Sequence, residues 1–242
     1  MRARTLAILV SASLTSICAA QAASLQVAPV SVEVRAPNAA ATITLRNEGA
    51  SPLNAQIRVF RWIQVNGEER LVPTDEVAAS PPLATLAPKT DYTVRLVRVT
   101  TRPISTGETY RLFVDELPDP KTRQNQVVTL VMRYSIPVFF YPHDTADAKL
   151  AWSIERRGGR VVVSATNGGD RHARISALAL RDESGTTASF GSGLTGYVLG
   201  RSNMRWETPD KYRRLGANSS IVISAQSDSG PINVSPSAQP AP

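Results

Sequence analysis

The side chains that could carry out catalysis are few and widely separated in this chain. Its only two histidines, His143 and His172, lie in polar stretches without a second ligand at metal-binding spacing. Ser192 lies between two glycines, but the sequence lacks the outer glycine spacing of a nucleophile elbow. Asp115 and Glu116 are adjacent in a predicted strand, so they point to opposite faces and cannot act as a carboxylate pair. These residues argue against an enzyme, and we expect no metal ion, no cofactor and no small-molecule substrate.

The N-terminal segment, residues 1–23, has the three parts of a secretory signal peptide in order. Arg2 and Arg4 form the positive region, Leu6 to Val10 begin a short apolar region, and residues 20–22 form a small-x-small cleavage site. The alternative is a buried apolar element at the start of the fold. The order of the parts favours a signal peptide, and therefore an exported mature protein.

The composition of the mature chain limits its partners. Of 242 residues, 27 are basic and 20 acidic, and removing Arg2 and Arg4 leaves a net charge of +5. There is no basic cluster, so we expect no nucleic-acid partner. Cys18 is the only cysteine, so the mature chain cannot form a disulfide, and Ile17 before it argues against a lipoprotein anchor. No run of about 18 apolar residues is present, which argues against a membrane-spanning helix.

Beyond the signal peptide the dominant pattern is alternation of apolar and polar residues, with no sustained helical period. Short alternating runs recur with turn signals between them, among which Asn66-Gly67 is the strongest short hairpin signal. This pattern predicts an all-β protein with two immunoglobulin-like β-sandwich domains, since such a domain needs roughly 100 residues. The expected limits are 24–143 for an N-terminal domain, 144–226 for a C-terminal β-sandwich domain, and 227–242 for a disordered tail rich in Ser, Pro and Gln.

One predicted strand, from Val127 to Phe139, is unusually long and apolar. Its even positions form one wholly apolar or aromatic face, made of Val128, Leu130, Met132, Tyr134 and Ile136. Pro137 cannot donate to a ladder, so the strand should not be fully central at that point. The pattern leaves two interpretations open. The even face is either buried in its own domain, or it belongs to an edge strand that is added to another chain.

Motifs around this strand resemble those of the periplasmic chaperones of the chaperone/usher pilus-assembly pathway, and most closely its archaic, or sigma, branch. The matching pieces run in order through the first domain, with two more in the second. They are Val27-Ala28-Pro29-Val30, Asn47-Glu48-Gly49, Arg58-Val59-Phe60-Arg61-Trp62, Ser80-Pro81-Pro82-Leu83, Leu86-Ala87-Pro88, Tyr110-Arg111-Leu112-Phe113, Glu116-Leu117-Pro118, Arg133 to Phe139, Tyr197-Val198-Leu199 and Arg205-Trp206.

The resemblance implies two immunoglobulin-like domains set at an angle, in the periplasm, with a pilus subunit held by the first domain. In such chaperones the last strand of that domain lends alternate side chains to the incomplete fold of the subunit, which is donor-strand complementation. Carried over by position, the donors are Val128, Leu130 and Met132, extended by Tyr134 and Ile136. The implied partners are pilin subunits and an outer-membrane usher, and we expect the free protein to cover its apolar strand by self-association.

The anchor for the subunit's C-terminal carboxylate departs from the better-known branch of the family. That branch uses an Arg on the opening strand and a Lys near the end of the donor strand, and the corresponding positions here are Pro29 and Pro137. A buried carboxylate needs a cationic donor, and a forked guanidinium suits it best. Arg111, on a strand expected beside the donor strand, is therefore the first candidate and Arg133 the second. The alternative for each is a solvent-facing strand residue.

Two other functions stay open on the sequence alone. A secreted structural or adhesive β-sandwich would keep the even face of the long strand as its own core. An enzyme with an unrecognised site would need clustered carboxylates in a cleft, and the sequence shows no such cluster.

Overall fold

The computed structural model describes residues 25–118, 130–209, 212, 215 and 220–236. The predicted signal peptide, Val128 and the last six residues lie outside this part of the chain. The first ten strands are β1 Leu25–Ala28, β2 Val32–Arg35, β3 Ala40–Asn47, β4 Leu53–Val65, β5 Glu68–Pro73, β6 Val77–Ser80, β7 Leu83–Leu86, β8 Asp91–Arg98, β9 Glu108–Leu117 and β10 Arg133–Tyr141. The other eight are β11 Leu150–Arg157, β12 Arg160–Asn167, β13 Ala173–Asp182, β14 Thr187–Ser189, β15 Leu194–Val198, β16 Asn203–Glu207, β17 Ile221–Ser227 and β18 Gly230–Val234. The all-β prediction is confirmed.

Strands β1 to β10 form the first domain, a sandwich of two sheets. One sheet has the order β1-β3-β8-β6, and the other has the order β2-β10-β9-β4-β5, with β7 pairing with part of β4. Alternate residues of the facing sheets are buried between them because side chains alternate across a strand. This core includes Ile43, Leu45, Val94, Leu112 and Val138, each at most 1% exposed.

The predicted hairpin at Asn66-Gly67 is confirmed. Both residues have positive φ angles, 56° and 80°, as a two-residue type I′ turn requires, and Val65 pairs directly with Glu68. The hairpin extends β4 beyond the first sandwich, and the backbone N–H of Arg205 in β16 donates to the carbonyl of Gly67 at 3.1 Å. The turn therefore contacts the second domain.

Strands β11 to β18 form the second domain, again as two facing sheets. The smaller has the order β11-β12-β16, and the larger has the order β14-β13-β17-β18, with β15 also pairing with β13. Its separate core includes Val163, Ile175, Leu180, Val198 and Ile223, all fully buried. The two cores agree with the predicted two-domain fold, whereas the domain limits at 143 and 226 remain predictions.

The structure corrects two sequence expectations. In the part of the strand predicted from Val127 that the structure describes, residues 130–132 form no regular ladder and β10 begins at Arg133; residues 127–129 lie outside the described residues. The tail predicted to be disordered from residue 227 contains β18, which pairs with β17 from Ile223–Val234 to Ser227–Gly230. The Ser- and Pro-rich composition hid this strand, whose partner supplies its hydrogen bonds.

The two domains meet at a buried aromatic cluster. Trp62, Phe139 and Tyr141 come from the first domain, and Tyr197 and Leu199 from the second. The Trp62 and Tyr197 rings meet edge to face, with centroids 5.3 Å apart. Beside the cluster, the Gln64 amide donates to the Tyr197 carbonyl at 2.7 Å and accepts from the Leu199 N–H at 2.9 Å. One side chain thus links β4 to the backbone of the second domain.

Replacing Gln64 with alanine is expected to weaken the contact between the domains. The two lost hydrogen bonds cost about 1 kcal/mol each, and together they correspond to a fall of roughly 4–8 °C in melting temperature for a chain of this size. Differential scanning calorimetry measures the change. Gln56, on the same face of β4 but away from the second domain, provides the matched control Gln56→Ala. An equal fall in both variants would contradict the role of Gln64.

Candidate strand-addition site

Strand β10 has an open edge along its first half. On one side it pairs with β9 from Arg133 to Phe140, and on the other side β2 pairs with it only from Val138 onward. Within the described residues, no strand covers that second side before Val138. Pro137 lies just before β2 begins, so the prediction that the strand is not fully central there is confirmed.

The direction of the backbone groups follows from the ladder. The Glu116 N–H donates to the Met132 carbonyl at 2.9 Å, so even-numbered residues face β9. The Tyr141 carbonyl accepts from the Ala36 N–H at 2.9 Å, which shows that odd-numbered residues face the other side. The N–H and C=O groups of Arg133 and Ser135 therefore point out of the open edge. An extended segment of another chain can bond to them, as in β-strand addition.

Two of the predicted donor side chains lie exposed next to this edge. The Leu130 side chain is 88% exposed and that of Met132 is 36% exposed. Large apolar side chains left in water beside an unpaired edge are a liability that proteins normally avoid. The described part of the chain thus offers both the backbone groups and the apolar side chains that an incoming strand requires.

The other two described donor candidates are committed to the first domain. Tyr134 packs partly against the core, and its hydroxyl donates to the Leu25 carbonyl in β1. Ile136 is 2% exposed and lies within the core. In this conformation neither side chain is free to enter a partner, because the two sheets close around this part of β10. Val128 lies outside the described residues, so its placement stays a prediction.

Arg133 is held by a neighbouring carboxylate. Its guanidinium forms an ion pair with Asp115, which also binds Arg58 at 2.6 Å. Burial acts to raise the pKa of Asp115, but hydrogen bonds from Arg133 and Arg58 outweigh it and hold that pKa below its usual range. Since the Arg133 side chain is 62% exposed and already paired, it matches the expected solvent-facing strand residue better than a buried anchor.

Arg111 lies in the cleft between the domains. Its guanidinium carbon is 3.6 Å from the Trp62 ring centroid and 5.3 Å from that of Tyr197. The side chain is 13% exposed, and its ion-pair partner Glu69 is 3.9 Å away. Burial lowers the pKa of the Arg111 guanidinium because a charged group is disfavoured away from water. An anion that enters this cleft would supply a stronger partner than the distant Glu69.

The sequence reasoning missed the aromatic residues around Arg111. Trp62 is fully buried, and its indole Nε1 has no hydrogen-bond partner among the described residues. A buried donor without a partner costs free energy, so a ligand that accepts from it would be favoured. The one available signal was indirect. The unbroken apolar run from Ile136 to Tyr141 is typical of a strand covered on both faces, and it supplies Phe139 and Tyr141, which are clustered with Trp62.

The described ranges contain neither a candidate metal site nor a candidate membrane-spanning helix. No group of three or more His, Cys, Asp or Glu side chains in them could hold a metal ion. Among the same residues no helix is long and apolar enough to cross a membrane.

Comparisons with known proteins point to one family. The family described as pili and flagellar-assembly chaperone, PapD N-terminal domain, matches residues 24–146. No curated protein matches the chain at a significant level.

Solved structures share the fold over nearly the whole chain. A complex of the CsuC chaperone and CsuE tip adhesion subunit, from archaic chaperone-usher Csu pili of Acinetobacter baumannii, contains a chain with 27% identity and a TM-score of 0.68. The match covers 91% of this chain and all of that one. The SafA pilin–SafB chaperone complex of Salmonella enterica matches with 16% identity and a TM-score of 0.60, covering 90% and 98%. The CupB2 chaperone of Pseudomonas aeruginosa has 17% identity and a TM-score of 0.54, covering 87% and 99%.

Proposed function

Because this chain belongs to the family of pili and flagellar-assembly chaperones, we propose that it is a periplasmic chaperone that binds pilus subunits by donor-strand complementation. The observation that carries the proposal is the open edge of β10 beside the exposed side chains of Leu130 and Met132. The subunit contributes the strand that completes the edge, and the chaperone contributes the apolar side chains that complete the subunit.

The energetics of this exchange allow binding that is firm but reversible. Burying Leu130, Met132 and Val128 in a subunit contributes about 1.5–3 kcal/mol for each side chain. Each main-chain hydrogen bond along the edge adds about 1 kcal/mol. Association costs roughly 4–15 kcal/mol of this total. A subunit strand that fits better can therefore displace the chaperone without ATP, which suits an exported protein.

The position of β2 limits how far an added strand can extend. Since β2 pairs with β10 from Val138 onward, it occupies that part of the edge. A subunit strand that runs parallel to β10 must therefore end beside Pro137. Pro137 is the cross-strand neighbour of Arg111. We infer that the C-terminal carboxylate of the subunit enters the cleft and binds Arg111, with Trp62 supporting the guanidinium. Arg133 remains the second candidate, closer to the start of the strand.

The finer parts of the proposal follow from the family. CsuC and the tip adhesion subunit CsuE form a pre-assembly complex, and by analogy our chain delivers its subunit to an outer-membrane usher. We propose that it acts as a binding protein and not as an enzyme. Residues 1–23 are removed on export, and the two domains span residues 24–143 and 144–226. A secreted adhesive sandwich is the alternative, but the exposure of Leu130 favours a partner. The free protein is proposed to cover β10 by self-association, which light scattering over a concentration series detects.

A pull-down from the native cell envelope tests the proposal. The protein, tagged at its C-terminus, is expected to retain a stoichiometric small exported β-rich subunit that mass spectrometry identifies. The Met132→Asp variant should lose that subunit because a carboxylate cannot enter an apolar groove. Recovery of the same subunit with the variant, or of no partner while the cells produce surface fibres, would favour the passive sandwich.

A further inference from the structure

His172 lies in the contact between the domains and has no part in the proposed binding site. Its ring stacks on Phe139, with centroids 3.7 Å apart and planes inclined by 7°. Its Nδ1 is 2.7 Å from the hydroxyl of Tyr141. Both aromatic residues belong to β10, the strand with the open edge, whereas His172 belongs to the second domain. With 8% of its side chain exposed, the imidazole is part of the buried contact.

The hydrogen bonds favour a neutral imidazole with Nδ1 as the acceptor. The backbone N–H of His172 donates to the Tyr141 hydroxyl oxygen at 3.2 Å, which leaves the hydroxyl proton to point at Nδ1, 2.7 Å away. In that arrangement Nε2 carries the single ring proton. A proton added to Nδ1 would turn this nitrogen into a donor, and the hydroxyl would have to turn its own proton away.

Few acidic groups near His172 are available to stabilise a positive charge on its ring. A cavity of 450 Å³ adjoins the ring. The charged and titratable groups that face it from the neighbouring elements are Glu33, Tyr141, Asp147, Arg171, Arg174, Tyr197 and Asp228. Glu33 is 3.9 Å from Nε2, but its other oxygen already binds Arg171 at 2.9 Å. Arg174 forms an ion pair with Asp228 at 3.4 Å.

Burial is the main reason that His172 resists protonation, with Arg171 and Arg174 acting in the same direction and Asp228 against them. Together they lower its pKa from 6.5 to about 4. An imidazole exposed by separation of the domains would regain its ordinary pKa. Above pH 6.5 both forms are neutral and the contact has its full stability. As the pH falls from 6.5 towards 4, the separated form takes up the proton first, so the contact progressively weakens.

We propose that His172 is an acid-sensitive latch that holds the second domain against β10 at neutral pH and releases it in acid. The difference of 2.5 pH units between the two states sets the upper limit of the effect at about a 300-fold increase in the ratio of separated to closed molecules. The latch needs no partner protein, so it can be tested on the free mature chain whatever its client is.

The distance between spin labels at Thr93→Cys and Thr187→Cys, both exposed positions, measures the separation by pulsed electron paramagnetic resonance. Only Cys18, in the predicted signal peptide, would compete for labels. We expect the distance distribution to broaden between pH 6.5 and 4 in the otherwise unchanged chain and in the exposed-histidine control His143→Gln. His172→Gln keeps an acceptor for Tyr141 without titrating, so its distribution should stay narrow over this range.

Three results would overturn the latch. The first is broadening of His172→Gln at the same pH as the unchanged chain, since carboxylates would then be responsible. The second is an NMR titration in which the His172 imidazole takes up its proton near pH 6.5, the ordinary value for histidine. A second variant, Tyr141→Phe, keeps the aromatic ring but removes the hydroxyl bond to the neutral imidazole. It should shift the broadening to higher pH, and an unshifted transition would also contradict the latch.

Discussion

Replacing Leu130 with aspartate is expected to abolish capture of a pilus subunit while leaving the thermal melting of the chain unchanged. The side chain is 88% exposed, so the first domain gains no stability from burying it. In the proposed complex the same side chain fills an apolar groove of the subunit. A carboxylate there would have to lose its water without a partner, which costs several kcal/mol beyond the apolar contact that is lost. Binding should weaken by more than about 100-fold.

Two matched variants make this result specific. Leu194→Asp places the same charge at a leucine that is 58% exposed in the second domain, and it should bind the subunit normally. Ile136→Asp places the charge on the same strand at a position that is 2% exposed, and it should unfold the first domain. Circular dichroism and subunit co-purification together separate these outcomes. If Leu130→Asp also melts early, the residue belongs to a core and the donor assignment fails.

The sequence predicts those strands whose packing partners lie within the same chain. Strand β8 and the first half of β4 bury alternate residues against a facing sheet, so the pattern predicts them. Alternation cannot tell which molecule supplies the core. It predicted a strand from Val127 because Leu130 and Met132 are patterned for burial, yet nothing in the described chain buries Leu130. A residue that is patterned for burial but 88% exposed is what the proposed strand addition to another chain requires.

The candidate site was predictable only in part, because its cleft is assembled from residues far apart in sequence. Arg111 lies 49 positions from Trp62 and 86 from Tyr197, and no local pattern relates them. A lone histidine was likewise uninformative, since the Phe139 ring that stacks on His172 belongs to the other domain. The sequence could indicate only that β10 carries more apolar side chains after Pro137 than the core of one sandwich requires.

Replacing Arg111 with glutamine is expected to weaken subunit binding by roughly 30- to 1,000-fold, because removing one partner of a buried charged contact costs about 2–4 kcal/mol. The matched change Arg133→Gln should weaken it by less than about fivefold, since that guanidinium is 62% exposed and shared with Asp115. Binding of the co-purified subunit by surface plasmon resonance measures both. Melting curves show whether loss of the stacking on Trp62 disturbs the cleft.

A second form of the subunit identifies the contact that Arg111 makes. Extending its C-terminus by two residues moves the carboxylate away from the cleft, and the unchanged chaperone should then bind it as weakly as Arg111→Gln binds the natural subunit. The two changes together should cost little more than either alone, because both remove one interaction. Fully additive losses would mean that Arg111 and the carboxylate act independently. In that case the stacked guanidinium serves to join the two domains through Trp62 and Tyr197, and the subunit terminus is bound elsewhere along the edge.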